Sequence, residues 1–121
     1  MFIYHNQNPK GLRVSDCVIR AISLASGIDY NTIWKKLYYC GKLLDCDPFC
    51  LNCYSFLLND YFKYPKVNAK NLTIKEFSET HPKGIYLVRV SSHISVVYDS
   101  NIIDIWDCSN EIITDCWKTK E

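Results

Sequence analysis

The sequence predicts an α+β fold, with helices in the first half and a twisted antiparallel sheet in the second. Three observations predict it. Apolar residues recur at helical spacing up to about residue 61. Past Gly84 the chain turns to short runs of β-branched and aromatic residues. Gly27, Gly41, the Asp-Pro in the 46–53 stretch, Pro65 and Pro82-Lys83-Gly84 separate the segments. With 48% hydrophobic and 22% charged residues, the 121-residue chain is expected to form one domain, 1–121, with a core large enough to need no obligatory staples.

The elements follow in order. Val18, Ala21, Ile22 and Ala25 predict a helix over residues 16–26, closed by Gly27 in a left-handed C-terminal cap. Asp29 or Asn31 can cap a second helix that carries Ile33, Trp34, Leu37 and Tyr38 and closes at Gly41. Residues 54–61 form a third apolar, helical stretch. Thr73-Ile74-Lys75-Glu76 reads as a capping box, because the threonine hydroxyl can accept from the third amide while the glutamate reaches back; a short helix runs to about residue 80. Strands are expected at 85–90, 94–98 and 102–106, with a possible fourth at 112–117. Asp99-Ser100-Asn101 reads as a three-residue hairpin loop, with Asn101 taking the positive φ at its last position.

Charge narrows the function classes. Fourteen Lys and Arg against thirteen Asp and Glu leave a net charge of +1, far from the cationic footprint that phosphate neutralisation needs, so nucleic acid is not expected as a partner. No apolar run approaches the roughly 20 residues of a membrane span, and the N-terminus MFIYHNQNPKG lacks the order of a signal peptide. A cytoplasmic protein without membrane partners is expected. Its seven cysteines should then be reduced thiols, a nucleophile or metal ligands, and not a disulfide framework.

Cys17 falls in the first turn of the first helix, where unpaired amides and the helix dipole favour an anion and lower a thiol pKa. Its own amide could face a substrate oxyanion. His93, after Ser91-Ser92 and before an apolar run, is the histidine placed at a strand entrance and so the candidate base. With a three-residue loop Tyr98 pairs with Ile102, which sets His93 opposite Asp107. Asp104 is the competing acid: a two-residue loop would put it on the face of His93, but diagonally. Asp107 ranks first on this reading. A helix-start cysteine can equally be a small buried hydrophobe and a strand-edge histidine a structural residue; the order Cys, His, Asp on a helix and two successive strands favours a catalytic triad.

At these residues the chain resembles the papain-like cysteine peptidase superfamily. The resemblance lies in Asp16-Cys17-Val18-Ile19-Arg20-Ala21-Ile22, in His93-Ile94-Ser95-Val96-Val97 and in Ile105-Trp106-Asp107-Cys108-Ser109. The chain looks closest to small phage and bacterial proteins with a DCVIRA-like segment, and is similar, more distantly, to the leader-peptide-cleaving domains of bacteriocin exporters. The resemblance implies a papain-like fold, a thiolate–imidazolium pair, and cleavage of an amide, peptide or isopeptide bond in a peptide or protein substrate, with no cofactor and no metal. A phage origin would place it in the host cytoplasm. Papain-like enzymes usually carry a glutamine about six residues before the cysteine as second oxyanion donor, and Gly11 stands there. Gln7 or Asn8 could supply that amide from further back. Two other readings stay open: a non-catalytic papain-like binding module acting on a host protein, and a small zinc-stabilised interaction protein.

The zinc reading rests on Cys40, Cys46, Cys50 and Cys53. The x3 and x2 spacing of the last three copies that of radical iron–sulfur enzymes, but 121 residues leave no room for their barrel. Four thiolates could hold a structural zinc, yet the spacing lacks paired C-x2-C units, and buried thiols are preferred. Cys108 and Cys116 are read as packing residues. Arg20 is read as an ion-pair residue ahead of a carboxylate ligand. The strip Tyr54, Phe56, Tyr61, Phe62 and Tyr64, without interleaved arginine, is read as core, and His5 and His81 as surface residues.

Overall fold

The computed structural model describes residues 1–119. Its architecture is α+β, with a mixed five-stranded sheet in the order β1-β4-β3-β2-β5. The strands are β1 (Phe2–Tyr4), β2 (Ile85–Val90), β3 (His93–Tyr98), β4 (Asn101–Asp104) and β5 (Asp115–Lys118). The expected antiparallel sheet holds for β2 to β5, but β1 joins the edge in parallel with β4, pairing Phe2 with Ile102 and Tyr4 with Asp104. Three residues are too few to show a strand period, so β1 leaves no trace in the local pattern.

Helix α1 (Cys17–Ser26) buries Val18, Ile19, Ala21, Ile22 and Ala25 and stops at Gly27, whose φ of 73° lets its amide reach back to Ser23 O. Helix α2 (Tyr30–Leu44) starts on Asp29, which accepts from the Thr32 amide. It runs through Gly41 and ends at Asp45, so the expected stop at Gly41 is corrected. The glycine serves close approach: a Cβ there would sit 2.9 Å from Cys46 O. Helix α3 (Leu51–Phe56) continues into a π-helical turn over Leu57–Tyr61, closed by Phe62 N–H donating to Leu57 O at 2.9 Å. Helix α4 (Ile74–Thr80) carries the capping box as read, with both the Thr73 and the Glu76 hydrogen bonds in place.

Alternation along β2 and β3 divides the core between the two faces of the sheet. Leu87, Ile94 and Val96 pack with Ile19, Ile22, Ile33, Leu37 and Leu57 under α1, α2 and α3. Val88, Val90 and Val97 pack with Ile74, Phe77, Ile102 and Ile113 on the other side. Burying such a side chain is worth about 1.5–3 kcal/mol. The face shared by α1 and β3 matters most for the site, because it brings the start of α1 to the start of β3.

The β3–β4 turn also departs from the sequence reading. Tyr98 pairs with Asn101, so the loop is two residues, Asp99-Ser100, and both adopt positive φ, 45° and 73°. Asn101 is the first residue of β4. This shift of one residue decides which aspartate faces the histidine.

Candidate active site

Cys17 opens α1, whose first-turn amides lack intrahelical acceptors and present positive potential to its sulfur. The half-buried thiol lies beside the His93 side chain and the backbone of Ile94. Burial would push the thiol pKa up. Contact with His93 and Ile94, together with the charges of His93 and Arg20, outweighs burial and holds Cys17 below the usual thiol range.

His93 opens β3, and its Nε2 lies 2.6 Å from Asp104 Oδ2. With Nε2 engaged there, Nδ1 is the nitrogen left for Cys17. Burial disfavours the imidazolium, but Asp104 foremost, with Cys108 and Cys17, pushes its pKa up to about 11. The Asp104 carboxyl is disfavoured as an anion by burial and still held below the usual carboxylate range, by His93 and by the Ile105 amide, which donates at 2.7 Å. All three shifts favour the same charged set: thiolate, imidazolium and carboxylate. Trp106 closes the outer side, its ring edge-on to the imidazole at 5.0 Å.

The preferred acid of the sequence reading, Asp107, does not reach His93. It is exposed beyond the end of β4 and accepts from the Ser109 amide at 3.1 Å and from the Ser109 hydroxyl. The reason is register. Counting outward from Val97↔Ile102, Ser95 falls opposite Asp104 and His93 two residues further on the same face. Asp104 is thus the diagonal neighbour, a separation that long side chains bridge.

Asp104 is itself held. Arg20 Nη1 donates to its Oδ1 at 3.0 Å while Arg20 Nε donates to Asp16 Oδ1 at 2.6 Å, and all three residues are buried. Asp16 also accepts from Tyr30 Oη at 2.7 Å and from Asn8 Nδ2 at 3.0 Å, which together with Arg20 outweigh burial and lower its pKa. Arg20 is thus a structural ion-pair residue. Its role had a sequence signal in the i, i+4 spacing of Asp16 and Arg20 on one helix face, but the link to Asp104, 84 residues away, had none.

Asn8 is corrected as an oxyanion donor, because its amide points to Asp16 and Tyr30, and its oxygen accepts from the Lys10 amide. Gln7 lines a cavity of about 10 Å³ together with Cys17, Arg20, Ser95 and Asp104. Its amide nitrogen donates to Ser23 Oγ at 3.1 Å and its oxygen meets His5 Nε2 at 2.7 Å. On the open side of the thiol lies a groove of about 220 Å³, walled by Phe49, Leu51 and Tyr54 and by Arg89, Ser91 and Ser92. These wall residues were not singled out as site residues in the sequence, since the topology alone brings α3 and the end of β2 beside Cys17.

The remaining thiols are free and differently placed. Burial, then the neighbouring thiols of Cys40, Cys46 and Cys50, pushes Cys53 up to about 12; burial alone raises Cys116 similarly, and a hydrogen bond to Cys50 raises Cys46. Among the described residues, the side chains whose ligand atoms gather within 4.8 Å are His93, Asp104 and Cys108. They fit a cation poorly. A metal would have to take the Nε2 and Oδ2 that bind each other, with the Arg20 guanidinium already on the same carboxylate.

Comparisons with protein-family models, with curated proteins and with solved structures find no match. No helix among the described residues is long and apolar enough to cross a membrane.

Proposed function

We propose that this chain is a papain-like thiol hydrolase, a cysteine peptidase or amide or isopeptide hydrolase, with Cys17 as nucleophile, His93 as acid and base, and Asp104 as the orienting acid. The observation that carries the reading is the imidazole of His93, bound by Asp104 on Nε2 and lining one groove with the Cys17 thiol. A helix-start cysteine alone is ordinary. The same cysteine with an oriented imidazolium is how a nucleophile is activated.

In the proposed reaction the Cys17 thiolate adds to a carbonyl carbon, and the oxyanion forms at the N-terminus of α1, near the Cys17 amide. His93 gives the Nδ1 proton to the departing amine, the C–N bond breaks, and a thioester remains on Cys17. Water then gives its proton to His93 and adds to the thioester. Collapse releases the carboxylic acid and restores thiolate and imidazolium. Asp104 holds the ring and its charge throughout. The groove beside the thiol suits a peptide or protein segment with apolar side chains.

Activity-based labelling tests this: a panel of peptide and ubiquitin-like electrophiles is incubated with the folded chain and the adduct mapped by mass spectrometry. The expected result is an adduct on Cys17 that is lost in His93→Ala. A panel that labels nothing, while small alkylators reach Cys17, would replace the hydrolase reading with a second one. That second reading, a binding module on the same fold, is favoured by one observation: the amide of Asn8 is committed elsewhere and that of Gln7 already bonds Ser23.

A further inference from the structure

We propose that the outer face of α2, with the groove beside it, is a docking site for an acidic amphipathic helix of a partner protein. Helix α2 turns Ile33, Leu37 and Cys40 into the core, yet Trp34, Tyr38, Tyr39, Leu43 and Leu44 on its remaining surface are 41%, 51%, 67%, 58% and 41% exposed. Single exposed apolar residues are ordinary, whereas here Tyr39 with Leu43 and, across Lys35, Trp34 with Tyr38 form two apolar strips, a paired patch of the kind that marks interaction sites.

The patch borders a concave site. Between α2 and the π-helical turn lies a groove of about 480 Å³, lined by Lys36, Tyr39, Leu43, Phe56, Leu57 and Tyr61. The π turn contributes directly: its last residue, Tyr61, meets Lys36, whose Nζ donates to Tyr61 Oη at 2.8 Å and lies 4.5 Å from the ring centre. An apolar floor with a held aromatic wall accepts side chains spaced i, i+3, i+4 and i+7 along a helix.

Charge selects the occupant. Helix α2 carries Lys35, Lys36 and Lys42 and no Asp or Glu over its length. A second copy of the chain seated face to face would bring two sets of these lysines together, since a two-fold contact uses the same patch twice. A bilayer surface would satisfy the lysines but leave the concave groove unfilled, because a membrane-binding face lies flat against the headgroups. A helix with apolar residues on one face and carboxylates along its flanks satisfies both features.

The test uses a fluorescein-labelled peptide of about 18 residues, long enough to form helix on binding, with leucine at the four groove-facing positions and glutamate elsewhere. A matched peptide carries lysine in place of glutamate. Fluorescence anisotropy with the full chain should show the acidic peptide binding at least about tenfold more tightly, with affinity falling as salt rises. Leu43→Glu and Tyr39→Glu should each weaken it about tenfold or more, while the alkylation rate of Cys17 stays unchanged and reports an intact fold. Joint replacement Lys35→Glu and Lys42→Glu should reverse the preference between the two peptides. Equal binding of both peptides, or binding unaffected by Leu43→Glu, overturns the proposal. So does capture by phosphatidylserine vesicles without peptide binding, or a concentration-dependent dimer in sedimentation that Leu43→Glu abolishes.

Discussion

Replacing Asp104 by asparagine removes one negative charge and keeps the side chain's shape, which isolates the electrostatic part of the site. The lost contact is a charge-assisted hydrogen bond of 2.6 Å between side chains that are 13% and 3% exposed. Such a bond contributes about 1.5–3 kcal/mol, and at about 1.36 kcal/mol per pKa unit its loss lowers the His93 pKa by about one to two units. That leaves His93 charged at pH 7, so the cost to Cys17 comes through orientation: without Asp104 the ring is no longer held beside the thiol, and the thiolate loses stabilisation. The second-order rate of iodoacetamide with Cys17 at pH 7 should therefore fall by roughly tenfold, about one unit of thiol pKa, in Asp104→Asn, and the midpoint of its pH profile should move up. Asp107→Asn should change the rate less than about twofold, since Asp107 is exposed and bonded to Ser109. Rates are read by mass spectrometry of the alkylated peptide, with circular dichroism confirming the fold. An unchanged rate in Asp104→Asn with a loss in Asp107→Asn would refute the assignment.

Three more outcomes are expected. Limited alkylation at pH 7 should modify Cys17 before Cys46, Cys53 or Cys116, whose pKa values are raised, as peptide mapping will show. Arg20→Ala should cost about 3–5 kcal/mol in urea denaturation, because it leaves Asp16 and Asp104 buried without their shared cation, and Arg20→Lys should recover part of the loss. Stability should depend on pH through the His93–Asp104 pair. The carboxyl of Asp104 lies below its ordinary 3.8, so its contribution is present above that value and lost as pH falls through the folded pKa; His93 is raised from 6.5 to about 11, so its contribution is full below 6.5 and lost as pH rises through about 11. Urea midpoints should decline on both sides of the window from about pH 4 to 6.5, and His93→Gln should flatten the alkaline side.

What could be read from the sequence was what local chemistry decides. Helix α1 and its glycine stop, the Thr73–Glu76 capping box and the two central strands follow from spacing and side-chain type within a few residues. Which aspartate meets His93 did not follow, because it hangs on a turn whose conformation is set from a distance. By intrinsic preference Asn101 should take the left-handed position, yet Ser100 takes it at φ 73°. Ser100 Oγ donates to Ser78 O at the end of α4, and Asp99 Oδ1 accepts from the Gly84 amide. These contacts hold a two-residue turn that local propensity disfavours. One residue of register then exchanges Asp107 for Asp104. The run of α2 past Gly41 has the same kind of cause, since the glycine is required by the Cys46 carbonyl packed against it and not by a helix end.

The site and the fold share one chain of charges. In their charged forms Asp16, Arg20, Asp104, His93 and Cys17 alternate negative and positive, and the series starts and ends on adjacent residues at the head of α1. Arg20, Asp104 and His93, inside the series, each lie between two groups of opposite sign, which is the condition under which burial is tolerated. The consequence is directional. Arg20 ties α1 to β4 through Asp104, His93 ties β4 to β3, and the thiol closes the circuit back to α1, so the three elements that carry Cys17, His93 and Asp104 are positioned by the same ion pairs that favour their charged forms. Reactivity at Cys17 and packing of α1 on the sheet are therefore one property. A substitution that loosens Arg20 should raise the thiol pKa even though Arg20 lies a full turn from the sulfur, because it removes a positive charge and frees the carboxylate that holds the imidazolium in place.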